Sequence, residues 1–402
     1  MQRVIHCILN NLIYDQRLHK IGLTLSRLFE VELVGVRAFG ERVSLPERPY
    51  KVKHLKVPVR GGPLFFLWAN GAFLLYLLRH SAWDAVIACD LDILPACWLA
   101  AKLRRKALVL DSRELYTGLP VLMRRPIRRW IWMQLEKLLY PRVPYILTVS
   151  PPIAAYIRSR YRQQAWVVYN LPLRQPSSRP PSLKRLLILY QGMLQMERGL
   201  EELVGALAYT KRWELLIVGD GPLRQWLERL AQLQGVAERV SFEGLVPFER
   251  LASYAAEAAV GVSGELPRAP NHRYALPNKV FDYLQVGLPV LVGEAPLIRR
   301  LVEHYQCGWV VERWLPHRIA QVLGQIASSP QAYEERARNA QQAASQLYWE
   351  RQAPCVEWIV RRALQRLPAT PEEAGAACAE LAFLHTLFSE GEVERKGENS
   401  RS

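Results

Sequence analysis

Three polar residues stand at the head of an otherwise apolar run. In ALPNKVFDYLQVGLPVLVGE, residues 275–294, Pro277 is followed by Asn278, Lys279 and Asp282. A proline can open a helix, because its missing N–H is one the first turn leaves unbonded anyway. Asn278 and Lys279 then lie where backbone amides point outward, toward an anion. Asp282, one turn on, is too deep to cap the helix and can accept hydrogen bonds from two adjacent hydroxyls, such as those of a ribose. A second cation, Arg198, precedes Gly199 at another helix start in YQGMLQMERGLEEL. A guanidinium beside helix amides can hold a diphosphate, and an ordinary exposed arginine is the bland alternative. ELLIVGDGP ends a strand-like run in Gly219-Asp220-Gly221, but the third glycine of a dinucleotide fingerprint would fall on Arg224. The nicotinamide motif therefore fails, and a tight strand-to-helix turn is the better reading. Asp90 and Asp92 are paired carboxylates at the end of DAVIACD, and contact with a ligand and capping of the next helix both stay open.

The elements that must position these residues alternate along the chain. Apolar strand-like runs (VIHCIL, VELVGV, DAVIAC, ALVLD, YILTVS, WVVYN) are separated by helix-length segments, the pattern of a parallel sheet wrapped by helices. The alternation restarts at LLILYQG and runs through ELLIVGDG, RVSFEGLV, AVGVSGEL, PVLVGE and GWVVE. A chain of 402 residues is long for one core. The expected organisation is a first Rossmann-like domain over 1–172, a Pro/Ser-rich linker over 173–185 and a second Rossmann-like domain over 186–345. A closing helix over 346–368 and a flexible tail over 369–402 follow, with a short helix near AELAFLHTLF as the exception. The fold class is α/β, two Rossmann-like domains facing across a cleft, where ligands of such sheets bind.

Composition narrows the function classes. Residues 1–180 hold 28 Lys+Arg against 11 Asp+Glu, whereas the remainder holds 25 against 26. The basic front half suits an anionic surface. In RRPIRRWIW, residues 124–132, four arginines flank Ile127, Trp130, Ile131 and Trp132, which reads either as a basic amphipathic helix on a membrane or as plain surface. Aromatic residues do not interleave the basic clusters in a recognisable nucleic-acid module, so nucleic acid is not an expected partner. PLFFLWANGAFLLYLLRH, residues 63–80, is short for a span and carries Asn70 and Gly71, so a buried or interfacial helix is expected. The six cysteines form no C-x-x-C pair and have no companion histidine spacing, which argues against zinc and against disulfides, and hence for a reducing compartment. The N-terminal MQRVIHCILNNL reads as a first strand rather than a signal peptide.

Taken in order, YQG…ERGLEELVGAL, ELLIVGDGP, RVSFEGLVPFERLASYAAEAAVGVS and LPNKVFDYLQVGLPVLVGE resemble the C-terminal domain of family-four (group 1) glycosyltransferases of the GT-B fold. The front half is similar more loosely through YDQRLHKIGLTLS, CDLDILPACWLAAK, VLDSREL and TVSPPIAAYI, and WERQ at 349–352 resembles the helix that crosses back to the first domain. The resemblance implies retaining transfer of a sugar from a nucleotide diphosphate sugar, with no cofactor and no metal. It implies donor contacts at Gly192, Arg198, Gly244, Leu245, Pro277, Asn278, Lys279 and Asp282. Catalytic help is implied from Arg198, Lys279 and Arg113, and acceptor-side roles for Asn10, Asp90, Asp92, Asp111 and Glu114. The chain departs from the family where Tyr274 stands in place of a glutamate, Met193 in place of a basic residue, Arg113 in place of a histidine and Asn10-Asn11 in place of a glycine pair.

The expected activity is a glycosyltransferase making cell-surface polysaccharide, with a saccharide or lipid-linked saccharide as acceptor. Its expected place is the cytoplasm, peripheral on an anionic inner membrane face. Two alternatives stand beside it. One is a nucleotide-sugar epimerase of the same fold, which needs carboxylates to activate water. The other is a catalytically silent nucleotide-sugar-binding protein, favoured by the replacements at Tyr274 and Arg113.

Overall fold

The computed structural model describes residues 1–10, 12, 15–38, 47–59, 61–80, 82–175 and 182–389. Asn11, part of the expected linker and the last thirteen residues of the expected tail lie outside them. The chain divides into two compact units, Met1–Tyr169 with Glu350–Ser402, and Asn170–Trp349.

The first unit is built on seven parallel strands: β1 (Arg3–Cys7), β2 (Glu30–Ala38), β3 (Lys51–Val57), β4 (Ala85–Cys89), β5 (Ala107–Ser112), β6 (Ile146–Thr148) and β7 (Ala165–Val167). Their order is β3-β2-β1-β4-β5-β6-β7. Strand β4, AVIAC, is apolar throughout and fully buried, and β1, RVIHC, is buried from Val4 to Cys7, as a covered parallel sheet demands. The sequence pattern missed β3. Its KVKHLKV alternates charged and apolar residues because it forms the edge, pairing only with β2.

Six helices join these strands: α1 (Gln16–Ser26), α2 (Gly62–Arg79), α3 (Leu94–Arg104), α4 (Pro120–Met123), α5 (Pro126–Leu139) and α6 (Pro151–Tyr161). Helix α2 is apolar and long enough to cross a membrane, yet one face of it, Ala69, Phe73, Tyr76 and Leu77, is buried in the unit. The side chain of Asn70 donates to the carbonyls of Phe66 and Asp92 and accepts from the amide of Ala96, which ties α2 to the start of α3.

In the second unit six parallel strands, β8 (Leu187–Gln191), β9 (Glu214–Val218), β10 (Val240–Gly244), β11 (Val260–Ser263), β12 (Val290–Val292) and β13 (Gly308–Val310), take the order β10-β9-β8-β11-β12-β13. Eight helices accompany them: α7 (Leu200–Leu207), α8 (Arg224–Leu233), α9 (Leu251–Glu257), α10 (Pro270–Tyr274), α11 (Asn278–Gln285), α12 (Pro296–Tyr305), α13 (Pro316–Ser328) and α14 (Pro330–Ala344). Each sheet runs outward in both directions from its first strand. The topological switch points therefore lie between β1 and β4 and between β8 and β11.

After Trp349 the chain returns to the first unit as α15 (Ala353–Gln365), α16 (Pro371–Cys378) and α17 (Ala382–Ser389). Two expectations are corrected here. Cys355 and Cys378 form a disulfide between α15 and α16, so the cysteine inventory does not argue for a reducing compartment. The pairing escaped notice because a turn, not a sequence motif, brings together residues separated by 23 positions. Part of the expected tail is also ordered: α16 forms over Pro371–Cys378 with Ala374 buried, while the short helix expected near AELAFLHTLF is α17, where Leu384 and Phe388 are buried and Phe388 lies 5.9 Å from Tyr169, ring to ring.

Candidate functional site

The carboxyl ends of β8 and β11 bring together the polar residues picked out by spacing alone. Glu265, two residues past β11, is fully buried. It accepts from Lys279 Nζ at 2.7 Å and from Arg198 Nη1 at 3.2 Å, and Ser263 Oγ donates to its second oxygen. Burial alone would raise the Glu265 carboxyl, but the charges of Lys279 and Arg198, with hydrogen bonds from Lys279 and Ser263, overcome it and hold it at about 2. Lys279 also sits 4.1 Å above the ring of Tyr190 on β8, which fixes the ammonium from a second side. With the Gln195 amide oxygen turned toward it, Arg198 donates to that oxygen from Nη2 at 3.0 Å and Nε at 3.2 Å. Glu265, Gln191 and Gln195 carried no signal in the sequence beyond their places after strand ends.

Asp282 projects from α11 toward the same strand end, where its Oδ2 accepts from Gln191 Nε2 at 2.9 Å. The next residue, Tyr283, accepts from the Gln191 amide at 3.0 Å and donates to the Leu189 carbonyl at 3.2 Å, locking α11 to β8. Pro277 caps α11 with extended backbone and no side-chain bond, so Asn278 and Lys279 are its first residues. The start of α7 differs from expectation. Glu201 and Glu202 fill its first turn and complement the helix dipole themselves, so the Arg198 side chain, not the α7 amides, is what an anion would meet.

Glycines let the neighbouring strand ends close on this point. Gly219 has φ 147°, and a Cβ there would lie 1.9 Å from the Gly192 carbonyl oxygen. Its amide donates to the Gly244 carbonyl at 2.8 Å, and that of Gly192 donates to the Val218 carbonyl at 2.9 Å. Gly192, Gly219 and Gly244 thus form a backbone-lined ledge, and Leu245 beyond it is exposed.

The acceptor-side candidates sit in the first unit. Asp90 has φ 65°, and its carboxylate accepts from the Arg113 amide at 2.7 Å and from Arg113 Nε at 3.1 Å. Arg113 Nη1 also donates to Asp15 Oδ2 at 2.7 Å, while Asp15 Oδ1 caps α1 through the Leu18 amide. Two carboxylates of the first unit, Asp15 and Asp90, thus hold the Arg113 guanidinium in place. Burial, with the charge of Asp90 beside it, pushes the Asp92 carboxyl well up. Tyr116 and Glu114 lie within its electrostatic reach. The Asn10 carbonyl accepts from Val36 on β2.

Asp111 is corrected as well. It is fully buried and bonded to Arg17 Nε and Nη2 at 2.6–3.1 Å, which makes it an interior ion pair rather than an acceptor contact. Among the described residues His6, Cys89 and Asp111 have ligand atoms within 4.8 Å of one another. Arg17 occupies both Asp111 oxygens, and the charges of Arg17 and Arg113 act on His6, so we assign this trio no metal.

Known proteins resemble this chain in sequence over its second unit and in fold over nine tenths of its length. Residues 185–329 match the family model described as glycosyl transferases group 1. The amylovoran biosynthesis glycosyltransferase AmsK of Erwinia amylovora is 28% identical over 162 residues, 39% of this chain and 38% of that one. The chain spans about two fifths of the length of the first curated relatives it matches. Sucrose-phosphate synthase from Thermosynechococcus elongatus superposes with a TM-score of 0.74 at 17% identity, covering 91% of this chain and all of that one. HepE from Anabaena, in complex with UDP and glucose, gives 0.70 at 15% identity with the same coverage. Both sheets follow the order 3-2-1-4-5-6, the first extended by β7, so the chain has the GT-B fold, and residues 185–329 of its second unit match the group 1 glycosyltransferase model.

Proposed function

We propose that the chain is a retaining, metal-independent glycosyltransferase. It would move a sugar from a nucleoside diphosphate sugar to a saccharide or lipid-linked saccharide acceptor in cell-surface polysaccharide synthesis, on the cytoplasmic side of a membrane. The observation that carries this reading is the convergence of Arg198, Lys279 and Asp282 on the β8–β11 switch point. Two cations over one buried carboxylate leave a net positive charge, which suits a diphosphate. Asp282 can accept from both ribose hydroxyls. HepE, of like fold, was solved with UDP and glucose, and AmsK is named for amylovoran biosynthesis.

In the proposed reaction the bond between the anomeric carbon and the diphosphate oxygen breaks, and its electron pair leaves with the diphosphate. The acceptor hydroxyl attacks from the same face, forming the new glycosidic bond, and its proton passes to the departing phosphate oxygen. Lys279 and Arg198 stabilise the charge that grows on the leaving group, the help a metal would otherwise give. Fixed in advance by Glu265, Tyr190 and Gln195, they need little reorganisation as that charge develops.

A panel of nucleotide sugars tests this by thermal stabilisation, followed by product analysis with lipid-linked acceptors. One donor is expected to raise the melting temperature and to be consumed with its anomeric configuration kept. No stabilisation by any donor, or equal stabilisation of Arg198→Ala, Lys279→Ala and Asp282→Ala, would remove the reading. Stabilisation without turnover across all acceptors would favour the silent binding protein.

A further inference from the structure

Helices α2 and α5 each expose an apolar stripe of identical spacing. On α2 it is Leu64, Leu67, Trp68 and Leu75, with Gly71 between them; on α5 it is Ile127, Trp130, Ile131 and Leu138. Both sets follow i, i+3, i+4, i+11, one face of a 3.6-residue helix. These side chains are far from buried: Ile127 is 77% exposed, Leu67 72% and Trp130 60%. The helices meet where the Phe66 and Trp132 rings pack edge to face at 5.2 Å. Val121 and Met123 of α4 add exposed apolar surface just before α5. Single exposed apolar residues are ordinary, whereas two adjacent stripes mark an interaction surface.

Charge identifies the occupant. Residues 62–79 contain no acidic residue, and 115–139 contain only Glu136, which is buried and accepts from Thr117 Oγ1. Arg124 and Arg125 are exposed at the start of α5. At 3.6 residues per turn, exposed Arg128 lies about 100° to one side of the α5 stripe and Lys137 about 80° to the other. An apolar stripe carrying tryptophan and flanked by cations suits an anionic lipid interface. A spanning role for α2 is excluded by its opposite face, where Phe73 and Leu77 are fully buried and Tyr76 Oη donates to Glu32 at 2.7 Å.

We propose that this face of the first unit docks on an anionic phospholipid bilayer, with the stripes of α2 and α5 in the headgroup–acyl boundary and Arg124, Arg125, Arg128 and Lys137 on lipid phosphates. The proposal rests on the membrane-side part of the functional reading. It is tested with no donor present, so either can fail without the other.

The full chain is sedimented with vesicles of phosphatidylcholine alone and of phosphatidylcholine mixed with phosphatidylglycerol. Binding is expected to the mixed vesicles, to weaken as salt is raised, and to be far weaker on phosphatidylcholine. Arg125→Gln, Arg128→Gln and Lys137→Gln together are expected to weaken it by about fivefold each, on the order of 100-fold in all. Leu67→Ser, Ile127→Ser and Ile131→Ser together should abolish it while leaving the melting temperature unchanged, because all three side chains face solvent. Failure to bind the mixed vesicles, equal binding to phosphatidylcholine, or undiminished binding by either triple variant would overturn the proposal. Self-association without lipid that the serine variant disperses, with no vesicle binding, would assign the face to a second copy of the chain instead.

Discussion

Replacing Glu265 by glutamine isolates the electrostatics of the second unit's site. The side chain keeps its size, but Lys279 and Arg198 lose the carboxylate they share at 2.7 and 3.2 Å. Removing one partner of a buried ion pair costs about 3–5 kcal/mol, and the low end applies because the Arg198 side chain is 22% exposed. A loss of about 3 kcal/mol lowers the melting of a unit this size by roughly 10 °C. Differential scanning calorimetry of wild type and Glu265→Gln reads this directly. A second arm adds saturating nucleoside diphosphate. Its charge takes the place of the missing carboxylate, so the rise in melting temperature should be larger in Glu265→Gln than in wild type. A variant as stable as wild type would refute the counter-ion role of Glu265. Lost stability with no extra recovery on adding nucleotide would refute the claim that the two cations face a diphosphate.

The Glu265 carboxyl, held at about 2, lies below its usual value, so its stabilisation is complete above about pH 4.5 and is lost as pH falls through 2. Acid titration of stability is therefore expected to fall more steeply for wild type than for Glu265→Gln over that window. Asp282→Asn keeps the geometry of the Gln191 contact but accepts more weakly, and should reduce nucleoside diphosphate affinity by roughly tenfold in calorimetric titration, with little change in melting. Gly219→Ala places a Cβ against the Gly192 carbonyl at φ 147° and is expected to cost more than about 1 kcal/mol in urea denaturation, with weakened nucleotide binding. Arg17→Met leaves Asp111 fully buried without its counter-charge, and should destabilise the first unit by about 3–5 kcal/mol by the same assay.

Much of the architecture could be read from the chain, because buried parallel strands write themselves as short β-branched runs. Twelve of the thirteen strands among the described residues carried that mark, and edge strand β3 did not because lysines punctuate it. At the site, Asn278, Lys279 and Asp282 were legible because a proline fixed the helix start and so their turn. Glu265 was not, since its importance comes from cations 14 and 67 residues away that meet it only in the folded sheet. Arg17 and Asp111 are separated by 94 residues, and nothing local distinguished that buried carboxylate from an acceptor-facing one. The exposure of α2 was equally hidden, since an apolar helix has the same composition whether both its faces are buried or only one.

A structure determined with a bound nucleoside diphosphate tests the donor site most directly. The phosphate oxygens are expected within hydrogen-bond distance of Arg198 and Lys279, with both ribose hydroxyls on Asp282 and the chain beside it at the Gly192–Gly219–Gly244 ledge. A nucleotide seated elsewhere, or one whose diphosphate touches neither cation while Glu265 still holds both, would contradict the assignment.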